Sequence, residues 1–338
     1  MIAPPVDLSG ANTLGLPSRA DVVRVITDTA ALAAAAEAAR AAGQPLTVLG
    51  GGSNVVLRDR IPGLVCLMRT RGVSETPSGD SVLVTAAAGE RWHDLVRRTL
   101  GRGLYGLENL ALIPGAVGAA PIQNIGAYGV ELSDRFVSLR AMDVDSGSLR
   151  TFDRADCRFG YRDSVFKSGE QGRWIIVEVT LALSRRPAPV IDYPDLLLEL
   201  ERLGWQAPSP VQVAEAVIRV RRRKLPDPRW TGNAGSFFKN PVVPADVGRR
   251  LAAAHDLTVR AGEGGAAKLS AAQLIDRCGW KGRSAGPAAV WSRQPLVLVN
   301  TGAARARDIL GLAEQVRADV HRRFGVELEL EPRVIGQD

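Results

Sequence analysis

The chain is poor in the residues that make covalent or metal cross-links: 338 residues include only 3 cysteines, Cys66, Cys157 and Cys278, far apart and without a CxxC pair. That pattern indicates neither a disulfide framework nor a zinc site, so no metal is expected and a reducing compartment fits. Histidine is as scarce, with His93, His255 and His321 the full set. None lies in a segment resembling a catalytic base loop, which argues against a serine charge relay. The opening MIAPPVDLSGANTLGLPSRAD lacks a basic region followed by an apolar run and does not read as a signal peptide. The Ala-rich stretch 31–42 is broken by Glu37 and Arg40 and falls far short of the roughly 20 apolar residues a bilayer span needs. A cytoplasmic protein with no membrane partner is expected. No internal repeat or low-complexity segment is visible.

What is present suggests two or three domains, since the length exceeds one ordinary core. The formal charge of +7 invites a nucleic-acid reading, but arginines such as Arg97, Arg98, Arg322 and Arg323 are scattered over predicted helices and read as solvated faces. One cluster differs. Arg219, Arg221, Arg222, Arg223 and Lys224 lie just ahead of Leu225-Pro226-Asp227-Pro228, where a helix should end. Several cations meeting at a turn suit a compact anion such as a diphosphate at least as well as a duplex.

The first region alternates helix and strand. A helix over 28–42 closes at Gly43, and Pro45 to Leu49 reads as a buried strand. Gly50-Gly51-Gly52-Ser53-Asn54 leads into Val55-Val56-Leu57 with no long helix after it, unlike a Rossmann GxGxxG turn. Strand-like runs follow at 81–87, 137–144 and 174–183 around a helix at 90–100, the pattern of an α+β domain. The loop Ile113 to Pro121, followed by Ile122 to Gly129, is rich in Gly and Ala. It is either a main-chain cradle for a phosphate or flavin or a tight connection between strands. Proline-rich boundaries are expected at 185–189 or 206–210. A helix over 303–324 places Ile309, Leu312, Ala313, Val316, Val320 and Phe324 on one side and stops at Gly325. The tail 326–335 alternates like a strand.

The stretch Gly232-Asn233-Ala234-Gly235-Ser236-Phe237-Phe238-Lys239-Asn240-Pro241 surrounds one serine with flexible backbone, amides, aromatics and a lysine. Without a histidine base, Ser236 suits passing a proton or holding a ligand better than nucleophilic attack. The bland alternative is a loop hydroxyl bonding its own backbone.

Taken in order, GGGSN at 50–54, LIPGAVGAAPIQNIGAYG at 112–129, CRFGYRDSVFK at 157–167, KLPDP at 224–228, GNAGSFFKNP at 232–241, KLSAAQLID at 268–276 and LEPRVIG at 330–336 resemble the UDP-N-acetylenolpyruvoylglucosamine reductase (MurB) family over nearly the whole chain. The RFGYRDSVFK block and the extended third domain resemble the first of that family's two types. The resemblance implies an α+β protein of three domains: a flavin-binding pair of the vanillyl-alcohol-oxidase (PCMH) type and a C-terminal substrate-binding α+β domain. The pair would be 1–70, with the tail 326–338 folding back onto it, and 71–208, and the third domain 211–325. FAD would lie between the first two, held by Gly50, Gly51, Gly52, Ser53, Asn54, Gly115, Gly118, Ile122, Gln123, Asn124 and Gly126.

The implied reaction passes a hydride from NADPH to FAD and then from flavin N5 to C3 of UDP-N-acetylglucosamine enolpyruvate, giving UDP-N-acetylmuramate for peptidoglycan. By motif matching, Ser236 protonates C2, Arg162 pairs with the enolpyruvyl carboxylate and Glu331 polarises the substrate and manages protons. Apart from the family, Arg162 beside Asp163 would read as a surface ion pair, and Glu331, spaced by two from Glu329 and Glu327, as a solvated edge. Tyr193 would cover the nucleotide, and Lys224, Asn240, Lys268 and Gln294, with Arg221, would contact the UDP-sugar. Which of Arg219, Arg221, Arg222 and Arg223 meets the diphosphate stays open. Gly51 stands where some members carry an acidic residue, and Gly118-Ala119-Ala120 where others carry serines. A monomer without nucleic-acid partners is expected. The competing readings are an FAD-dependent oxidase of the same superfamily and a non-catalytic UDP-sugar or nucleic-acid binding module.

Overall fold

The computed structural model describes residues 5–338, apart from the side chain of Glu263. The chain divides into two units, one built on Ala20–Gly52 and Pro62–Arg222, the other on Asp7–Arg19, Ser53–Ile61 and Arg223–Asp338.

In the first unit Asp28 starts the helix Thr29–Ala41 by accepting the Ala31 N–H at 2.7 Å, the use a short carboxylate has at an N-cap. Leu32, Ala35, Ala36 and Ala39 form its buried stripe. They pack on Leu64, Cys66 and Met68, from the strand that pairs in parallel with Leu46–Leu49. Five antiparallel strands follow, in the order Leu149–Asp153, Phe136–Asp143, Trp174–Ser184, Ser81–Ala87, Val73–Ser78. Along Ser81–Ala87 every second residue, Val82, Val84 and Ala86, is buried. These three belong to one core with Trp92, Leu95 and Val96 of the helix Trp92–Gly101. That helix starts two residues later than its sequence pattern suggests. Glu90 and Arg91 are held by the 110s loop instead: Val117 N–H donates to Glu90 O at 2.8 Å and Arg91 bridges Ala116. The long helix Pro210–Lys224 belongs to this unit through Arg222.

In the second unit the glycine-rich Gly232–Ser236 is a strand, where its composition suggested a loop. It pairs antiparallel with Val297–Asn300 through Gly232 and Asn233, breaks register, and pairs again at Ser236. Gly235 takes φ +70°, and its N–H is held by Asn233 Oδ1 at 3.0 Å. This bulge turns the strand just before Ser236 and needs a residue that tolerates left-handed backbone. The strands Ala288–Val290 and Ser284–Ala285 complete the sheet. Phe237 and Phe238, 0% and 1% exposed, enter a core with Leu298, Leu312 and Val316. Phe237→Ala should cost about 3–5 kcal/mol of stability, read as a lowered melting temperature with no change in the far-UV spectrum of the folded protein.

The helix Ala306–Phe324 buries Ile309, Leu312, Ala313, Val316, Val320 and Phe324, the residues its period assigns to one face. It begins at Ala306, not at 303, because the Asp308 carboxylate takes the Arg305 N–H at 2.8 Å. It ends at Gly325, φ +65°. In the tail, Val326 and Leu328 are buried and Glu327 and Glu329 exposed, but only Arg333–Ile335 is a strand, parallel to Val55–Leu57. Among the described residues no helix is long and apolar enough to cross a membrane.

Candidate active site

Two glycine-rich segments meet in the first unit. A Cβ on Gly51 would stand 2.9 Å from Gly115 Cα, and one on Gly50 would stand 3.0 Å from the Ala116 methyl. The Gly51 contact is with backbone and leaves no room for a side chain, and the Gly50 contact is tight, so the turn 50–52 lies with bare main chain on the 115–116 loop. Arg69 Nη1 donates to Gly50 O at 2.9 Å and steadies the turn. Gly118 has a packing reason of its own: its N–H donates to Ala88 O at 2.9 Å, and a Cβ would fall 2.5 Å from the Ala88 methyl. The juxtaposed loops offer the backbone a diphosphate needs and no side chain to obstruct it, so an FAD diphosphate fits them.

The same unit gathers Arg162 with the rest of the 120s loop. Arg162 has φ +54°, its side chain is 18% exposed, and Nη2 donates to Gly126 O at 2.5 Å. Nη1 lies 3.8 Å from Glu131 Oε1. A Cβ on Gly126 would meet Nη1 at 2.9 Å, so Gly126 serves as the seat of the guanidinium. Asp163 accepts from the Ser168 hydroxyl at 2.5 Å. Asn124, 1% exposed, spends its amide on Glu131, Gly160 O and the Ser133 N–H. Ile122 O takes the Ser164 hydroxyl, and Gln123 ends a short 3-10 turn. Tyr193, at the N-cap of Pro194–Arg202, meets Tyr128 edge to face at 5.3 Å.

Arg221 is unusual: its Nε is buried and has no hydrogen-bond partner among the described residues. Burial pushes its guanidinium below the usual arginine range, with Arg162 adding to the effect and Tyr128 opposing it. A desolvated cation beside a second cation is costly unless an anion joins them.

In the second unit the segment after Ser236 lies antiparallel to the tail. Lys239 N–H donates to Glu329 O at 3.0 Å and Glu331 N–H to Phe237 O at 2.9 Å, bringing Glu331 beside the residue that follows Ser236. Asn54 takes part from the other side: its Nδ2 donates to Glu331 O at 3.4 Å, and Arg333 N–H donates to Asn54 O at 3.1 Å. The three tail glutamates are not equivalent. Glu327 pairs with His321 at 2.8 Å and Glu329 with Lys239 at 2.8 Å. Ser236 is half-buried, and its hydroxyl makes no hydrogen bond among the described residues, so it does not bond its own backbone.

Asn240 Oδ1 accepts the Ala271 N–H at 3.0 Å, and Lys268 is in register with Val242, two residues past Asn240. Gln294 Oε1 accepts the Leu296 N–H at 3.3 Å, while Leu296 O takes the Phe237 N–H at 2.7 Å. Lys224 O accepts from Trp291 Nε1 at 3.1 Å. Ser236, Asn240, Lys268, Gln294 and Glu331 are thus linked through short chains of contacts within one unit, while Arg162, Tyr193 and Arg221 belong to the other. Tyr128 and His93, absent from the sequence-derived set, stand near Arg221. Tyr128 lies within the 112–129 block but is not a residue type that block marks, and His93 lies outside every block, so contacts across the fold reveal them.

A bare-glycine cradle in an α+β unit that also holds a desolvated arginine, Arg221, suits a flavin-binding protein. Residues 20–153, which contain both glycine segments, match the FAD binding domain family model, and the chain is an FAD-dependent oxidoreductase. Residues 227–335 match the model of the UDP-N-acetylenolpyruvoylglucosamine reductase C-terminal domain. The UDP-N-acetylenolpyruvoylglucosamine reductase of Azoarcus sp. (strain BH72) is 52% identical over 98% of this chain and 99% of its own. That of Bordetella pertussis is 52% identical over 97% and 94%. The crystal structure of UDP-N-acetylenolpyruvylglucosamine reductase (MurB) from Thermus caldophilus superposes with a TM-score of 0.66 at 26% identity, covering 98% of both chains. The chain belongs to the UDP-N-acetylenolpyruvoylglucosamine reductase family.

Proposed function

We propose that this protein reduces UDP-N-acetylglucosamine enolpyruvate to UDP-N-acetylmuramate with NADPH and FAD, a step of peptidoglycan precursor synthesis. The observation that carries the reading is the match to reductases of that name at about half identity over 98% of the chain. FAD, when bound, accepts a hydride from NADPH and supplies one to C3 of the enolpyruvyl group.

The bare main chain of Gly50, Gly51, Gly52 and Gly115 holds the FAD diphosphate, with Ser53, Asn54, Ile122, Gln123 and Gly126 completing the flavin contacts; Gly118, packed on Ala88, and Asn124, buried and bonded within the unit, hold those loops in place from behind. Addition at C3 leaves electron density at C2 and on the carboxylate, and Ser236 Oγ delivers the proton to C2. The Ser236 hydroxyl, without a hydrogen bond among the described residues and set by the Gly235 bulge, supports that role. Arg162 pairs with the carboxylate as charge accumulates, its fork already oriented by Gly126 O. Glu331, tied to the Phe237 carbonyl, polarises the substrate and manages protons.

Tyr193 covers the nucleotide, and Lys224, Asn240, Lys268 and Gln294 contact the UDP-sugar. Arg221, with no hydrogen-bond partner at Nε among the described residues, completes the anion site. In this reading residues 1–70 with the tail 326–338, and residues 71–208, hold FAD, and residues 211–325 hold the UDP-sugar. The protein works as a cytoplasmic monomer without nucleic acid or membrane.

The test is direct. The purified protein should be yellow with flavin absorption bands and should oxidise NADPH in strict dependence on the enolpyruvyl UDP-sugar, giving a product two mass units heavier. A colourless protein, or NADPH oxidation that follows oxygen in place of the UDP-sugar, would replace this reading by a binding module or an oxidase. Glu331→Gln should keep FAD and lose about 10²-fold in turnover, the lower end of the range for one acid–base group. Parent-like turnover in that variant would return Glu331 to a solvated edge.

A further inference from the structure

The loop bearing Gly115 and Gly118 contains a strained residue. Leu112 takes φ +59°, a left-handed conformation uncommon for a residue with a branched side chain and held only where its surroundings over-determine it. The surroundings here are residues 90–93, at the start of the helix Trp92–Gly101. Trp92 Nε1 donates to Leu110 O at 3.0 Å, Trp92 N–H donates to Gly115 O at 3.0 Å, and Val117 N–H donates to Glu90 O at 2.8 Å. The Leu112 N–H donates to His93 Nδ1 at 2.9 Å. Of these four clamps, only the last uses a group that changes charge near neutral pH.

We propose that His93 positions the flavin loop by accepting the Leu112 N–H, and that losing this bond by protonation or substitution weakens FAD binding. The inference rests on the reading that the 50–52 turn and the 115–118 loop hold the FAD diphosphate. An imidazole accepts at Nδ1 only when neutral with its proton on Nε2; the imidazolium has N–H on both nitrogens and would point one at the Leu112 N–H. Burial holds the His93 pKa below its ordinary 6.5, with Arg97 on its own helix and Arg221 and Arg222 on Pro210–Lys224 acting the same way, and Asp94 opposing them. The sign follows. Above 6.5 the ring is neutral whether the protein is folded or not, and the clamp is complete. As the pH falls below 6.5 the unfolded chain takes up the proton first, so the clamped state loses stability, and at the depressed folded pKa the bond itself breaks.

The test measures the FAD dissociation constant of the apoprotein by flavin fluorescence from about pH 8 to about pH 5, the range over which histidine titrates. The parent should bind evenly through pH 6.5 and weaken by about tenfold only as the pH falls through the depressed folded value, the size of effect expected for one orphaned main-chain donor. His93→Asn, whose Oδ1 can accept the same N–H without titrating, should keep the parent's affinity and lose its acid limb. His93→Ala should bind about tenfold more weakly than the parent at neutral pH, with no acid limb of its own. Parent-like affinity in His93→Ala, or an unchanged acid limb in His93→Asn, overturns the inference. If His93→Ala does not fold, the pH profile of His93→Asn alone decides. Gly51→Val separates this inference from the reading beneath it, because its side chain would strike Gly115. If folded Gly51→Val binds FAD like the parent, the cradle reading fails; if it loses FAD while His93→Ala binds normally, only the role of His93 fails.

Discussion

Ser236→Ala should give a yellow protein that NADPH reduces at the parent's rate and that the enolpyruvyl UDP-sugar reoxidises about 10²–10⁴ times more slowly, the range for loss of a positioned acid. The substitution removes one oxygen and little else. The bulge before Ser236 is made by Gly235 and the Asn233 carboxamide, the pairing to Val297 is main-chain, and Phe237 is fixed in the core. Neither the backbone nor the packing depends on the hydroxyl. A serine is a weak acid in water, but the carbon it protonates is strongly basic, and holding the donor in place removes most of the entropic barrier. Ser236→Cys should recover part of the rate, since a thiol still donates. Stopped-flow separates the half-reactions. Equal reoxidation rates in parent and Ser236→Ala would remove Ser236 from the chemistry.

The second large effect is expected at Arg162. Arg162→Ala should retain FAD and lose about 10²–10³-fold in turnover, the cost of deleting one preorganised donor to developing charge. Its guanidinium is held before any ligand arrives, by Gly126 O and near Glu131, so it needs no reorganisation as charge grows. Arg162→Lys should do almost as badly. An ammonium keeps the charge but cannot present the planar fork that bonds Gly126 O and a carboxylate together. A surface ion pair would instead contribute about 0–1 kcal/mol to stability and nothing to turnover. Normal turnover in Arg162→Ala with a small change in melting temperature would favour that bland reading.

The sequence was most informative where structure is local. Asp28 before an alanine-rich run, the spacing from Ile309 to Phe324 with Gly325 behind it, and the alternation of Ser81–Ala87 each follow from backbone geometry within a few residues. Errors arose where a distant partner decided. The helix at Trp92 starts late because residues 116 and 117 occupy Glu90 and Arg91. Gly232–Ser236 has the composition of a loop and is a strand because Val297–Asn300 supplies its hydrogen bonds. The tail alternates in burial yet forms a strand only at Arg333–Ile335, since upstream its main-chain groups at Glu329 and Glu331 go to the segment after Ser236.

The sequence by itself determined the family and the chemically active residue types, because ordered blocks of glycine, amide, serine and arginine persist in one dimension. Tertiary structure decided how they are grouped. Gly51 lies on Gly115, Gly126 seats Arg162, Glu331 joins the Ser236 segment and His93 clamps Leu112, each across a separation that local propensity does not encode. These contacts depend on close approach and shared hydrogen bonds, which exist only once the chain has folded.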